Sequence, residues 1–244
     1  MKPQYLFLLS LLIACQKPKP VSQIQTGKTN SEKKSDLLVS KENFLKTDTL
    51  LVYTDGETSK DHYILAHLLD RKMDKDSVVT GKYQLDFYLN KTKTADTKLS
   101  IKGIDEGSEW SVIYGLGRES SQNSPFIQIH FGYPACGYTQ NNYLYYLKNS
   151  SLQLVHEWYS MSDSGWGSWV EFGNIAPKSN PESFYCKTVA FEPDDNDENM
   201  GTVTYSDSTV FRLSGNHWKK QLLSVKDKNY FEKKMSFDDF HNQK

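Results

Sequence analysis

The sequence lacks the short motifs that assign a chain to several large enzyme classes. It has no G-x-G-x-x-G loop, and no helix pattern opens after the glycines Gly115 and Gly117, which excludes a dinucleotide-binding fold of that type. It also has no G-x-S-x-G, which excludes a serine nucleophile elbow. No motif in the sequence specifies a reaction by itself.

Positive charge is scarce in the body of the chain. From Asp48 onward there are 21 basic and 27 acidic residues, a net charge of −6, whereas residues 15–47 hold seven lysines and three acidic residues. Contact with phosphates needs a concentrated basic face on the folded part of a protein. The composition therefore argues against nucleic acid as a partner.

Long apolar runs are also missing. The run Tyr5–Ala14 is too short to span a bilayer comfortably, and the positively charged Lys2 precedes it. A charged start followed by a short apolar segment is typical of a secretory signal peptide. We therefore predict a signal peptide over residues 1–14 rather than a transmembrane helix.

The signal segment ends in Leu12, Ile13, Ala14 and Cys15. This order of an apolar, a variable and a small residue before cysteine resembles the lipobox of bacterial lipoproteins. The resemblance covers residues 1–15 and implies cleavage before Cys15, a diacylglycerol on its thiol and an acylated amino terminus. It implies a membrane anchor in the bacterial cell envelope, with the body in the periplasm or at the cell surface. Three acyl chains would make the anchoring effectively permanent.

Only three cysteines are present. If Cys15 carries lipid, Cys136 and Cys186 remain, an even number in an oxidising compartment. A disulfide between them would close a loop of about 50 residues and would contribute up to about 4 kcal/mol on the chain-entropy model. The alternative is two unpaired buried thiols. Both stay open, because the sequence does not fix the separation of the two cysteines.

The residues that follow Cys15 are rich in Lys, Ser, Thr, Gln and Pro and contain few large apolar side chains. Such a composition buries too little surface to offset its ordering entropy, so we predict a disordered tether. The predicted organisation is a signal peptide at 1–14, a lipidated cysteine and tether at 15–47, and a single mainly-β domain at 48–244.

One helix is predicted near the start of this domain, over residues 59–72. Residues 58–61 resemble a capping box, and apolar residues follow at helical spacing. His62 and His67 lie five positions apart, so they would not share one helix face as a metal-binding pair does.

The remaining pattern alternates with a period of two, which is typical of strands. Single strands are predicted at 49–53, 110–114 and 126–131, and hairpins at 82–104, 143–158 and 209–223. The predicted fold is an antiparallel β-sandwich or open barrel with the one N-terminal helix. A β-propeller is the alternative, although ten to twelve strands at about four per blade would give too few blades.

Four aromatic residues lie close together in the central stretch: Trp158, Tyr159, Trp166 and Trp169. Residues 161–169 have the small, turn-forming composition of an exposed loop. If two or more of these rings were exposed, they would form a stacking platform for a sugar or a peptide. The alternative is that they are core residues of a β-sheet protein.

The acidic segment at 194–199 places Asp195, Asp197 and Asn199 at alternate positions. This spacing resembles calcium loops, including those of integrin-like β-propeller repeats. Glycine comes one position late, however, and neither Val203 nor Ser206 supplies a closing carboxylate. We therefore predict a solvated acidic loop and no cofactor, with calcium as the alternative.

Two catalytic arrangements are considered. Cys136 with His130 or His156 would be a thiol and base pair, and the carboxylates within residues 157–171 would serve glycoside hydrolysis. The sequence fixes the geometry of neither. The first hypothesis is therefore a non-catalytic, lipid-anchored binding or structural module, whose aromatic loop binds a glycan, a cell-wall peptide or a partner protein. The alternative is an envelope hydrolase that uses carboxylates at 157–171.

Overall fold

The computed structural model describes residues 43–54, 57–117, 124–134, 137–173 and 182–242. They all belong to one compact unit, Glu42–Lys244. Residues 1–42 lie outside the described residues. The predicted signal peptide, the lipidated Cys15 and nearly all of the tether therefore lie outside the part that can be compared with the sequence predictions.

About three quarters of the described residues lie in strands, which confirms the predicted mainly-β fold. A single short helix, α1, covers Phe237–Asn242 near the C-terminal end. The strands are β1 (Lys46–Thr54), β2 (Glu57–Met73), β3 (Val79–Leu89), β4 (Thr92–Lys102), β5 (Glu109–Tyr114), β6 (Phe126–Gly132), β7 (Tyr138–Lys148), β8 (Ser151–Asp163), β9 (Trp166–Gly173), β10 (Ser183–Asp194), β11 (Asp197–Ser214), β12 (His217–Leu222) and β13 (Phe231–Ser236).

The thirteen strands form one large open sheet rather than separate propeller blades. Its order is β12-β11-β10-β9-β8-β7-β6-β5-β1-β2-β3-β4, and β13 pairs with β11 beside β12. Neighbouring strands are antiparallel except at one place, where β1 and β5 are parallel. The chain thus runs as one meander from β1 to β4, returns to the other side of β1, and continues as a second meander from β5 to β12.

The predicted N-terminal helix is wrong, because residues 59–72 lie within strand β2. Ile64, Ala66 and Leu68 face the core, while Tyr63 and His67 face the other side of the sheet. The apolar residues of this segment fit both the helical period of 3.6 and the strand period of 2, so the pattern alone does not distinguish a helix from a strand. Residues 63–68 pair with β1 on one edge and with β3 on the other, and this tertiary context overrides the helical pattern of the segment.

Strands β6 and β7 are buried on both faces and divide the interior into two cores. Ile129 and Tyr145 face a first core with strands β1–β5, whereas Phe126 and Leu144 face a second core with β8 and β10–β12. The N-terminal strands therefore cover one face of β6 and β7, and the C-terminal strands cover the other. Full burial of each such side chain contributes about 1.5–3 kcal/mol to folding.

A third core lies between the C-terminal half of the sheet and α1. The Trp166 ring stacks on Phe191 with 4.4 Å between ring centroids, and Phe240 of α1 stacks on the same phenylalanine at 4.2 Å. Val189, Val203 and Met235 complete this core. The short helix is thus held by aromatic packing, which is the usual source of stability for a helix of this length.

Candidate functional site

The four aromatic residues of the predicted platform are divided between different surroundings. Trp158 packs against the second core and is stacked on His156, with 5.5 Å between ring centroids. Trp166 and Trp169 pack against the third core. Tyr159 is 58% exposed, and it follows Trp158 on a strand, so it points to the opposite face of the sheet.

The segment predicted as an exposed loop is a tight hairpin between β8 and β9. Ser164 and Gly165 form its turn, with φ values of 51° and 93°, and the strands pair up to Asp163 and Trp166. The three tryptophans of this hairpin are half-buried. The structure therefore does not bring the four rings together as one exposed platform.

Cys186 is a free, buried thiol in the second core, and no disulfide is present among the residues that the structure describes. Cys136, its predicted partner, lies outside them. The Cys186 Sγ atom is 3.8 Å from His156 Nε2. Burial raises the pKa of the thiol to about 12 and, with Lys220 nearby, lowers the pKa of His156 to about 4. Both groups are neutral at pH 7, so this pair is not an activated thiolate and imidazolium.

Of the candidate calcium ligands, Asp195 lies in the hairpin turn between β10 and β11, and Asp197 and Asn199 lie at the start of β11. The Asp194 carboxylate accepts the Asn196 amide proton at 2.9 Å, and Asp197 accepts that of Asn199 at 3.0 Å. Lys234 forms an ion pair with Asp194, and its hydrogen bond is the main reason why the pKa of that carboxyl is lowered. Across the described ranges, no group of three or more His, Cys, Asp or Glu side chains could hold a metal ion.

The carboxylates of the hydrolase alternative have separate local partners. Glu171 lies 3.7 Å from Lys187 Nζ and accepts the Trp169 Nε1 proton at 3.3 Å. Asp163 accepts the Ser164 hydroxyl proton at 3.0 Å. Glu157 is exposed on β8, opposite Tyr143. Each carboxylate is therefore explained by its own surroundings and not by a shared site.

A groove lies between β1 and β5, the two parallel neighbours, which are the ninth and eighth strands in the sheet order. These strands pair over only two positions, Val52 with Val112 and Tyr53 with Ile113. Toward Lys46 and Glu109 the pairing stops and the strands leave a groove with a volume of about 360 Å³. Ligand sites in proteins commonly measure about 300–1,000 Å³. The groove is lined by Lys46, Asp48, Thr49, Leu50, Leu51, Tyr53, Ser108, Glu109, Trp110 and Ser111.

The facing edges of the groove are strand edges without a strand partner. β1 uses its other edge to pair with β2, and β5 uses its other edge to pair with β6. The described strands leave the stretches 46–51 and 109–111 unpaired on the sides that face each other. A free strand edge carries backbone N–H and C=O groups that can pair with another extended chain.

The groove combines apolar surface with a few charges. Leu51 and Tyr53 are exposed on β1, and Trp110 on β5 packs against Phe131 with 4.4 Å between ring centroids. Trp110 Nε1 is buried and has no hydrogen-bond partner among the described residues. Lys46 forms an ion pair with Asp48 at 2.9 Å.

A polar cluster on the outer face of the sheet holds β1 in place beside the groove. Thr47 Oγ1 lies 2.8 Å from His67 Nδ1, and His67 Nε2 lies 3.6 Å from Asp86 Oδ2. Lys93 Nζ binds the same carboxylate at 2.9 Å, and Phe44 stacks on the imidazole. The order of hydroxyl, imidazole and carboxylate is that of a nucleophile and its base. Here Lys93 neutralises the carboxylate, so the cluster braces β1 against β2 and β3.

Sequence reasoning had predicted strands at 49–53 and 110–114 but had not singled out the groove. Nothing in either stretch signals that two strands so far apart in sequence lie side by side. The polar residues Asp48, Ser108 and Glu109 beside these strands were the one available hint of a site.

Comparison with known proteins identifies no relative: no family model, no curated protein and no solved structure matches this chain. In the part of the chain that the structure describes, no helix has the length and hydropathy needed to cross a bilayer.

Proposed function

We propose that this chain is a lipid-anchored, non-catalytic binding module of the bacterial cell envelope that binds an extended peptide in the groove between β1 and β5. The observation that carries the proposal is the pairing of these strands, which stops after two positions and leaves two free edges facing each other. The anchor is supported by Leu12–Cys15, which has the lipobox order. The occupant is a cell-wall peptide or an extended segment of a partner protein.

An extended peptide fits this groove because both walls offer the same kind of contact. A peptide that adds to a strand edge gains affinity from main-chain hydrogen bonds and specificity from alternate side chains. Since β1 and β5 are parallel, one inserted strand can run antiparallel to both. The exposed Leu51 and Tyr53 then supply apolar contacts for the side chains of the peptide.

The outer edges of the sheet are protected, whereas the groove edges are not. β4 carries Lys93, Lys98 and Lys102, and β12 carries two lysines, Lys219 and Lys220. Lysines on edge strands discourage pairing with other chains. Along the groove, Lys46 is the one basic residue, and Asp48 binds it. The contrast favours the groove over the outer edges as the place where a peptide pairs.

The charges of the groove favour a peptide that contains a basic residue. The ionisable side chains of its lining are Lys46, Asp48 and Glu109, a net charge of −1. Because Lys46 and Asp48 compensate each other, Glu109 is the carboxylate left to attract a cation. Exposed charge pairs of this kind contribute up to about 1 kcal/mol and act more on selectivity than on affinity.

The peptide site is tested by selection from a random 12-residue peptide library displayed on phage. We expect peptides that bind the wild-type body, and we expect Ser111→Trp, which fills the groove from its exposed wall, to weaken binding about tenfold. Ser100→Trp is the matched control, since Ser100 is exposed on β4. Methylation of alternate peptide amides should weaken binding about three- to tenfold each, because each removes one main-chain hydrogen bond. Equal binding by the wild type and Ser111→Trp would refute the site.

The anchor is tested separately, by labelling a bacterium that expresses the protein with an alkyne-bearing fatty acid. We expect label on the wild-type chain and none on Cys15→Ala, because the acyl chains depend on that thiol. Label on both chains, or on neither, would contradict lipidation at Cys15. Either result would leave the groove proposal unaffected.

A further inference from the structure

The segment that joins β12 to β13 exposes large apolar side chains to solvent. Leu223 is 59% exposed, Val225 is 65% exposed and Tyr230 is 51% exposed. The flanking residues Leu222 and Phe231 are also exposed. Single exposed apolar residues are common, but five within the ten residues 222–231 indicate a contact surface.

Backbone hydrogen bonds hold this segment in a fixed shape. The Leu223 amide donates to the Ser208 carbonyl at 2.7 Å, and the Asp227 amide donates to the Asp207 carboxylate at 2.9 Å. Within the segment, the Lys228 amide donates to the Val225 carbonyl at 3.2 Å and closes a turn. The segment is thus anchored to β11. We call residues 223–228 the basic turn.

The charge around the basic turn is opposite to that of the rest of the body. Residues 48–216 contain 14 basic and 23 acidic residues, a net charge of −9. Residues 217–234 contain six lysines and two acidic residues, a net charge of +4. An anionic surface would therefore repel most of the body and attract this segment.

Edge protection explains some of these lysines but not those in the turn. Lys219 and Lys220 lie on β12, and Lys233 and Lys234 lie on β13, where they discourage strand pairing. Lys226 and Lys228 lie on no strand edge. Both are exposed and follow Leu223 and Val225 directly in the turn.

We propose that the basic turn is a contact site for a membrane surface that contains anionic lipid. Leu223 and Val225 enter the boundary between headgroups and acyl chains, while Lys226 and Lys228 lie among the lipid phosphates. Peripheral binding of this kind gains from buried apolar area and from attraction of lysines to anionic lipids. This proposal goes beyond the peptide groove and does not depend on acylation at Cys15.

The test uses the body Glu42–Lys244, which is one compact unit that contains all three cores and omits six of the seven lysines of residues 15–47. Its binding is measured by co-sedimentation with vesicles of equal parts phosphatidylglycerol and phosphatidylcholine, and with pure phosphatidylcholine. We expect binding to the anionic vesicles that is at least tenfold stronger and that falls in 0.5 M salt.

Three variants separate the contributions. Leu223→Asp with Val225→Asp, and separately Lys226→Gln with Lys228→Gln, should each reduce the partition coefficient about tenfold or more. Met73→Asp is the matched control, since Met73 is 69% exposed on β2, and it should change binding less than twofold. Thermal unfolding of each variant verifies that it is folded.

The proposal is overturned if the two vesicle types bind the body equally, or if the turn variants bind like Met73→Asp. It is also overturned if the body does not bind vesicles but self-associates through the turn, which would make the turn a protein interface. Failure of the phage selection would concern the groove alone, because no peptide takes part in the vesicle experiment.

Discussion

The pairing of β10 with β11 and the pairing of β1 with β5 are the two extremes of this sheet. β10 and β11 pair from Ser183 to Asp194, and between them the rings of Phe184 and Phe211 stack with 4.5 Å between centroids. β1 and β5 pair over two positions. Beyond that pair the strands leave the groove, whose lining mixes charged and small polar residues with Leu50, Leu51, Tyr53 and Trp110.

This difference teaches that apolar packing by itself does not keep β1 and β5 paired, since both strands also place side chains in the first core. A hydrogen bond between strands contributes a net 0.5–1.5 kcal/mol, while a buried aromatic side chain contributes more than twice that. The β10–β11 ladder has both contributions along its length. β1 and β5 contribute Leu50, Val52, Val112 and Trp110 to the first core, yet their facing edges are free at 46–51 and 109–111. The following variants test this contrast, from the largest expected effect to the smallest.

Removal of an aromatic ring from the long ladder should have the largest effect. Phe184 is 1% exposed and touches Phe126, Phe211 and Trp218. We expect Phe184→Ala to lower the free energy of unfolding by about 3–5 kcal/mol, because it leaves a cavity in the second core. Urea unfolding gives this value. Leu154→Ala is the control at an exposed site and should cost less than about 1 kcal/mol.

Acid should destabilise the second core through His156. Its folded-state pKa is lowered to about 4, mainly by burial, whereas the unfolded chain titrates near 6.5. The stability is therefore complete above pH 6.5 and declines as pH falls from 6.5 toward 4, because the unfolded state takes up the proton first. We expect a loss of about 2 kcal/mol between pH 7 and pH 4.5.

Urea unfolding of His156→Gln at both pH values checks this. The variant should lose that part of the pH dependence, while His217→Gln, a change at an exposed histidine on β12, should keep it. The same pH dependence in wild type and His156→Gln would show that other groups are responsible.

Gln153 joins β8 to β12 in the C-terminal half, where the two strands do not pair. Its side chain donates to the Trp218 carbonyl and accepts the Trp218 amide proton, each at 2.8 Å. We expect Gln153→Ala to cost about 2 kcal/mol in urea unfolding, because two partly buried backbone groups lose their partner. Gln221→Ala, at an exposed site, is the control. Equal stability of the two variants would mean that water replaces the glutamine.

Loss of one contact in the brace, the polar cluster of Thr47, His67, Asp86 and Lys93 beside the groove, should have the smallest effect on stability. Thr47→Val removes the contact between Thr47 and His67 and should cost about 1 kcal/mol. Thr47→Val should also weaken the binding of the selected peptides, because β1 forms one wall of the groove. Thr92→Val, at an exposed site on β4, should change neither property. If Thr47→Val weakened stability but left peptide binding unchanged, β1 would not need the brace to form the site.

Local pairing could be predicted from the sequence. The hairpins at 82–104, 143–158 and 209–223 are confirmed as β3–β4, β7–β8 and β11–β12, because each joins strands through a short turn that the sequence marks. The helix prediction for residues 59–72 is wrong because their apolar residues fit both the helical and the strand period. Only pairing with both β1 and β3 makes this segment a strand.

The groove could not be predicted, because it depends on a contact between segments that are distant along the chain. The parallel pair joins Val52 to Val112, and parallel pairing leaves no turn signal between its strands. The position of Cys186 in the middle of β10, with its thiol inside the second core, depends likewise on how the sheet curls. The disulfide suggested by cysteine counting stays a prediction, because Cys136 lies outside the described residues, among which Cys186 is a free thiol.

Hydrogen exchange of the backbone amides tests the central claim most directly. The exchange of the body is measured by mass spectrometry, free and saturated with a selected peptide. The account predicts slower exchange in the proteolytic fragments of the body that cover residues 46–51 and 109–111. The free strand edges of these residues would gain hydrogen-bond partners from the bound peptide. Protection at the edge of β4 or at the β8–β9 hairpin instead, with unchanged exchange in the groove, would contradict it.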